Sequence, residues 1–470
     1  MTETENTEDK QPAPKRESGA TGGHTACIVP AIQPQLESDL QHQWTAYLVG
    51  ILLVVYPALT LVVPGVANTS LALLFLISLK ILLENFFRQR QEKSGARTAS
   101  RSSARIDRLP TRYAWAYSLA MMSLPIAIFA SQWANQRWGW HYYDAASRFL
   151  FAIPVFFALR RIPLNKLLVI QYGLILGAFI AAICITYFAR DWGSGRLGSG
   201  FLNPIHFGDI SLTLGVLAAL SINLAHKENR LMRFVKILSL LAGIYVSIKT
   251  GSRGGWIALP VFLALWIWFG KKTLSRKKIY LRVSMSMVIF LASYALIPEV
   301  SHRIDLIKDN LSAYAAGHDN TSIGIRFQLW HVAILLFESH PIFGVGMGGF
   351  KAAMPEMLNA KLLTQEAAVF GAQEVHSEIL SRASQLGSFG LISILSIYLV
   401  PLFLFLRRTQ SGSVALKNIS RNGIVFVAGF FIYGLTVETF DLTMTAAFYS
   451  MSVAVFLAMA YNISNQPSDH

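Results

Sequence analysis

Charge is scarce in this sequence: 14% of its residues are Asp, Glu, Lys or Arg, against about a quarter in soluble globular domains. Together with 53% hydrophobic residues and a mean hydropathy of +0.44, that scarcity excludes water as the main solvent of the fold. Cysteine is nearly absent. Cys27 lies in a polar stretch and Cys184 inside an apolar run, so no pair is placed to staple an exported loop, and redox chemistry is not indicated. An apolar leader is missing too: residues 1–43 are polar and contain Pro and Glu. They are expected to be a disordered cytoplasmic tail rather than a cleavable signal peptide. Acidic residues are in deficit, 26 against 41 basic. A surplus on one soluble face would point to nucleic acid, but here the basic residues fall in the gaps between apolar runs, and no nucleic-acid partner is expected. Finally, no Asp-x-Asp pair occurs, which removes the simplest signature of a metal-dependent glycosyltransferase.

What the sequence does contain is long apolar runs. They start near Trp44, Val66, Tyr113, Ala145, Leu167, Phe207, Val235, Trp256 and Tyr280, then between His376 and Ser384, and near Gly423 and Met444. Each spans about 16–23 residues, as hydrocarbon about 30 Å thick requires, which makes about twelve helices. The expected fold class is therefore an all-α integral membrane protein. Its parts are transmembrane helices one to nine over residues 44–297, one long periplasmic loop carrying helices over 298–375, helices ten to twelve over 376–463, and a short cytoplasmic tail over 464–470.

Orientation follows from the loops, because Lys and Arg are retained on the cytoplasmic side. Arg88, Arg90, Lys93, Arg97, Arg101, Arg105, Arg108 and Arg112 crowd the second loop, and Arg160, Arg161 and Lys166 the fourth. Lys227, Arg230, Arg233 and Lys236 mark the sixth, Lys271 to Arg282 the eighth, and Arg407, Arg408, Lys417 and Arg421 the tenth. Every even-numbered loop is basic, so both termini are expected in the cytoplasm. Losing or adding one span would put half of these clusters on the wrong side.

The outward segment from about Pro298 to Val375 is too long for a simple connection, which marks it as a functional element. From Arg326 to Ser339, the spacing of Phe327, Trp330, Ala333, Ile334 and Phe337 predicts a helix with one apolar stripe. His340-Pro341 ends it. Gly344-Val345-Gly346-Met347-Gly348-Gly349 reads as a flexible turn. It follows no strand and is not a nucleotide loop.

The informative basic residues are those lying outside the cytoplasmic loops. Arg148 sits about a turn into the fourth span, Arg190 and Arg196 flank Asp191-Trp192-Gly193-Ser194-Gly195, and Arg303 and Arg326 lie in the long loop. Arg253 occupies the tight outward turn Thr250-Gly251-Ser252-Arg253-Gly254-Gly255, among small neighbours and with no acidic residue nearby in sequence. An Arg near membrane depth is costly and is usually paired or faces a wet cavity. Several converging suggest an anion site, since guanidinium grips phosphate oxygens with two parallel donors. Each also has a structural reading: Arg148 pairs with Asp144 one turn earlier, or Arg190 snorkels to head groups. His376, in Gln373-Glu374-Val375-His376-Ser377-Glu378, stands where an outward cavity would open. A neutral imidazole there can accept a proton from a sugar hydroxyl, or simply bond water at the interface. Glu374, His376 and Glu378 alternate along a helix and point about 200° apart, which disfavours a shared metal ion.

Taken in order, Thr250-Gly251-Ser252-Arg253-Gly254-Gly255-Trp256, then Arg326-x-x-x-Trp330 running to His340-Pro341-Ile342-Phe343-Gly344-Val345-Gly346, then His376-Ser377-Glu378 resemble the O-antigen ligase superfamily. The resemblance covers about Leu240 to Ser393 and is closest to the lipopolysaccharide O-antigen ligases. It implies transfer of a glycan from undecaprenyl diphosphate to a hydroxyl of a lipid A–core sugar, on the periplasmic face of the bacterial inner membrane. With no Asp-x-Asp pair and no favourable metal-ligand spacing, neither metal nor cofactor is expected. Carried over residue by residue, the resemblance makes His376, Arg253 and Arg326 catalytic. Arg253 and Arg326 would also bind the diphosphate, joined by the looser matches Arg196 and Arg148. The polar amino-terminal tail is not a feature of the family. O-antigen polymerases and protein O-oligosaccharyltransferases share the signature. A lipid-linked-sugar transporter is the reading from a different class, disfavoured because the unusual charges gather on the outward side of the later spans.

Overall fold

The computed structural model describes residues 33–95, 110–193, 195–252, 254–270, 275–411 and 413–462. Most of the expected tail, residues 464–470 and Arg253 thus lie outside the described residues. The chain forms two compact units, Met1–Trp44 and Thr45–His470. The described part of the first is the opening of α1 (Gln33–Leu59).

The second unit continues with α2 (Val66–Gly95) and α3 (Thr111–Asn135), and short connections then link α3 to α4 (Tyr143–Leu159), the single turn α5 (Leu164–Leu167) and α6 (Ile170–Tyr187). A small antiparallel pair, β1 (Arg190–Asp191) and β2 (Leu197–Gly198), with Arg190 opposite Gly198, precedes α7 (Pro204–Leu220). Next come α8 (Arg230–Lys249), α9 (Ala258–Gly270) and α10 (Arg276–Leu296). Four helices follow within residues 298–375: α11 (Pro298–Ala315), α12 (Ser322–Ser339), α13 (Gly349–Asn359) and α14 (Gln365–Gly371). The chain then runs through α15 (Glu378–Arg408), α16 (Val414–Gly434) and α17 (Thr443–Ala460).

Eight of the described helices are long and apolar enough to cross a bilayer, and Gln43–Leu59, Pro204–Leu220 and Gly255–Gly270 are shorter apolar helices. With α16, these are the helices at the places expected from the sequence. α16 begins at Val414 rather than near Gly423, because Ser413 caps its first turn by accepting from Leu416 N. Hydropathy misses such polar turns. The helices differ in what surrounds them. α17 is buried along almost its whole length by its neighbours, whereas the apolar window of α10 has no buried residue at all. A helix that is apolar and has no protein around it needs hydrocarbon as solvent. The chain is an all-α membrane protein.

Several residues of the basic loops are built into one end of the bundle. Arg160 Nε donates to Tyr461 O at 3.1 Å and Arg408 Nε to Ala460 O at 2.7 Å. Both satisfy carbonyls left over at the end of α17, where a cation also complements the helix dipole. Lys236, wholly buried, is bonded to Glu228 at 2.6 Å, Gln171 at 2.7 Å and Ser221 O at 2.8 Å.

The glycine-rich turn is not loose. α15 is broken at Gly387 (φ 64°, ψ −151°), and the turn repairs the break. Val345 N donates to Ser384 O and Gly346 N to Gln385 O, both at 3.0 Å, while Ser388 N donates to Pro341 O at 2.8 Å. Gly348 N donates to Gln385 Oε1 at 2.8 Å. Inside a membrane protein, freed backbone groups must find such partners. A methyl group at Gly344 (φ 66°) would collide with the Gln385 backbone, and one at Gly387 with Ile342 O.

α12 forms as expected and stops at His340, but the buried stripe differs from the expected one. Ile325, Leu329, Val332, Ala333 and Leu336 pack against Phe350, Met354, Leu363 and Ala367 from α13, α14 and their connection. Phe327, Trp330 and Phe337 are only half-buried, and Ile334 is exposed. α12 has apolar residues on most of its faces, so its spacing alone does not select which one packs.

Candidate active site

Residues 372–377 lead from α14 into α15, and the backbone is forced there. His376 has φ 59°, a left-handed conformation that costs an ordinary residue about 1–2 kcal/mol. Neighbours on every side hold it. Val375 N donates to Glu438 Oε1 at 2.5 Å, Trp330 Nε1 donates to His376 O at 3.3 Å, and Ser377 caps α15 by accepting from Leu380 N. The imidazole is fixed as well: its Nδ1 lies 2.5 Å from Glu374 Oε1, and only 13% of the side chain is accessible. Strain of this kind collects where geometry matters to function.

The charges around this segment are arranged in pairs. Burial opposes the charge of Glu374, but the hydrogen bond and charge of His376, with the His206 imidazole, hold its carboxyl below the usual value. Glu438, between α16 and α17, is the opposite case: burial, then the negative charge of Asp441 and a hydrogen bond to it, push its carboxyl well above the usual range. Glu438 also accepts from Ser381 Oγ at 2.8 Å, so it ties α15 to the α16–α17 connection. Arg382 completes the set, with Nε on Glu378 Oε1 at 2.7 Å and a terminal nitrogen on Asp441 Oδ1 at 2.5 Å. Glu378 turns toward Arg382 and Phe440 N and does not join Glu374 at His376.

Beside this network lies a cavity of about 330 Å³. Its walls come from α3, the start of α4, the segment before and at the start of α13, residues 371–375, α15 and the α16–α17 connection. Glu374, Arg382, Glu438 and Asp441 line it, with Asp144 and Lys351 from the far walls. Asp441 keeps 45% of its side-chain surface accessible and lines the cavity.

The structure brings some of the sequence-predicted residues together and leaves others apart. Arg326 lies one helical turn before Trp330, whose indole holds His376, and its NH1 is bonded to Ser322 O and Oγ at 2.8 and 2.9 Å. Arg196 follows the turn between β1 and β2, near enough for its charge to act on buried Asp209 of α7. The 250–255 turn meets the same place: a methyl group at Gly255 would collide with Asp209 Oδ1, and one at Gly251 would lie 2.5 Å from the Arg303 guanidinium. Arg148 is elsewhere engaged. It bonds Asp144 at 2.9 Å, Asn68 at 2.8 Å and Ser147 at 2.9 Å, and so joins α4 to α2. Sequence reasoning singled out neither His206, buried in α7 under the charges of Glu374 and Asp441, nor Glu374 as the partner of His376. The signal for His206 was present, since an apolar run containing both His206 and Asp209 is unusual in a membrane helix.

This segment now has a counterpart among known proteins. Residues 237–395 match the O-antigen ligase family model. A protein of Haemophilus influenzae described as uncharacterized is 24% identical over 302 residues, covering 62% of this chain and 72% of its own length. The O-antigen ligase match spans α12 to α14, most of α8 and the first half of α15, and so includes Arg253, Arg326, Glu374 and His376. It supports ligase- or polymerase-type function in a multi-pass membrane protein.

Proposed function

We propose that the protein is an O-antigen ligase that moves a glycan from undecaprenyl diphosphate to a hydroxyl of a lipid A–core sugar, on the periplasmic face of the bacterial inner membrane. The observation that carries this reading is the contact between Glu374 and His376, within the segment that matches the ligase family. A carboxylate on Nδ1 keeps the proton on that nitrogen and leaves Nε2 with a lone pair, the form needed to take a proton from a hydroxyl.

The acceptor oxygen then attacks the anomeric carbon, His376 Nε2 takes its proton, and the bond from that carbon to the diphosphate oxygen breaks. Charge left on the departing undecaprenyl diphosphate is met by fixed guanidinium groups, for which Arg253, Arg326 and Arg196 are the candidates. Diphosphate is already a good leaving group, so neither an acid nor a metal ion is required. A single displacement of this kind inverts the anomeric configuration and forms no covalent enzyme intermediate. Arg148, engaged with Asp144 and Asn68, is assigned to holding the bundle rather than to the diphosphate.

The test is restoration of lipopolysaccharide in a bacterium that lacks its ligase but makes lipid-linked O-antigen and a compatible core. A ladder of core-attached glycan returns with the parent chain and is absent with membrane-inserted Arg326→Ala and His376→Ala. If no ladder returns, while long chains form in a polymerase-deficient strain whose ligase is intact, the protein is a polymerase. Retained anomeric configuration in the product would rule out the single displacement.

A further inference from the structure

The diphosphate candidates and the cavity are chemically different places. The cavity lining carries more carboxyl groups than cations: Asp144 (paired with Arg148), Glu374 (beside His376), Glu438 and Asp441 (paired with Arg382) line it, against Arg382, itself bound to Glu378 and Asp441, and Lys351. Lys351, at the α13 wall, is the remaining cationic side chain among the lining residues. A carboxylate that already holds one partner still accepts further donors and repels another anion. A diphosphate has none to offer, and a phosphate site instead presents converging cationic donors. Sugar hydroxyls and ammonium groups do supply donors. The volume, about 330 Å³, lies at the small end of the range of about 300–1,000 Å³ for small-molecule sites. Glu374 lines the cavity and also contacts His376 Nδ1, so a group lodged there lies one side chain away from the base.

We infer that this cavity is the subsite for the reacting sugar of the acceptor, and that it admits neutral or amino sugars while excluding those that carry a phosphate or carboxylate. The assignment of that sugar to the acceptor rests on the ligase reading above. The charge selection rests on the cavity alone.

Two kinds of measurement separate these claims. Saturation-transfer NMR on the full chain in nanodiscs would use methyl glucoside, methyl glucosaminide, methyl glucuronide and glucose 6-phosphate as probes. Saturation of the first two at least about fivefold above the two anionic probes is expected, falling to background when the cavity is filled by Ala145→Trp or, from the opposite wall, Ala372→Trp. Equal saturation of the anionic probes, signal that survives in both filled variants when they are folded, or no signal from any probe overturns the inference. The lipopolysaccharide ladder is then read for the same variants. Selective binding without any ladder from the parent leaves the subsite standing and removes the ligase reading. A ladder that persists in both filled variants does the reverse.

Discussion

At the scale of single residues, the proposal concentrates on His376 and on what holds it. Loss of a positioned general base costs about 100-fold to 10,000-fold, so His376→Ala is expected to lower the rate of glycan transfer by that range with normal membrane insertion. For Arg253 the proposal rests on its place in the sequence motif, and Arg253→Lys is expected to be nearly as damaging as Arg253→Ala. A point charge cannot reproduce a bidentate grip on phosphate, and near-normal transfer by the Lys variant would count against that role. Glu374 and Glu438 give opposite pH signatures in thermal unfolding of the purified protein. The Glu374 carboxyl titrates below its ordinary value of 4.5 in the folded chain, so its contribution is whole above that pH and is lost as the pH falls through the lower folded value. Glu374→Gln should flatten the acid side of the stability profile. The Glu438 carboxyl titrates well above 4.5. Its contribution is whole below 4.5 and is lost as the pH rises from there through the raised value, so Glu438→Gln should flatten the profile on the side above 4.5.

At the scale of elements, the break in α15 is what joins the loop helices to the bundle. Ser131 Oγ from α3 reinforces it by donating to Phe343 O at 2.7 Å. Gly344→Ala and Gly387→Ala each add a methyl group against backbone atoms at a positive φ. Together the left-handed penalty and the overpacking come to about 2–5 kcal/mol. The expected outcome is a lower unfolding midpoint for each variant, whereas Gly317→Ala, also at positive φ but with open space around it, loses less. The existence of α12 was readable from its apolar spacing and from His340-Pro341 at its end, but its packed face was not. Only contact with Phe350, Met354 and Ala367 chose between two apolar stripes.

At the scale of the whole molecule, the cavity network and the Arg160 and Arg408 ties to the end of α17 lie at opposite ends of that helix. In the proposed orientation, where the basic loops face the cytoplasm, the cavity lies on the opposite side of the membrane. In a variant without Cys27 and Cys184, a cysteine at Lys361 is expected to react with an impermeant thiol reagent added to intact cells whose outer membrane has been opened. One at Lys277 should react only after the inner membrane is breached, and the reverse pattern would invert the proposed orientation.

The sequence by itself determined the solvent, the helical class and the approximate positions of the apolar helices, because hydropathy is a local property that no fold can alter. It also carried the motif order from Thr250 to Glu378, which lies within the matched residues 237–395. Tertiary structure alone decided the partners. Glu374 meets His376 because the backbone at His376 turns left-handed, and it does so because Glu438, some sixty residues on, holds Val375 N. Arg148 is drawn to Asn68 and Asp144, and the glycine turn is fixed by a helix break that no periodicity announces. Partner choice depends on which distant groups arrive at hydrogen-bonding distance, and spacing along a chain does not record that distance.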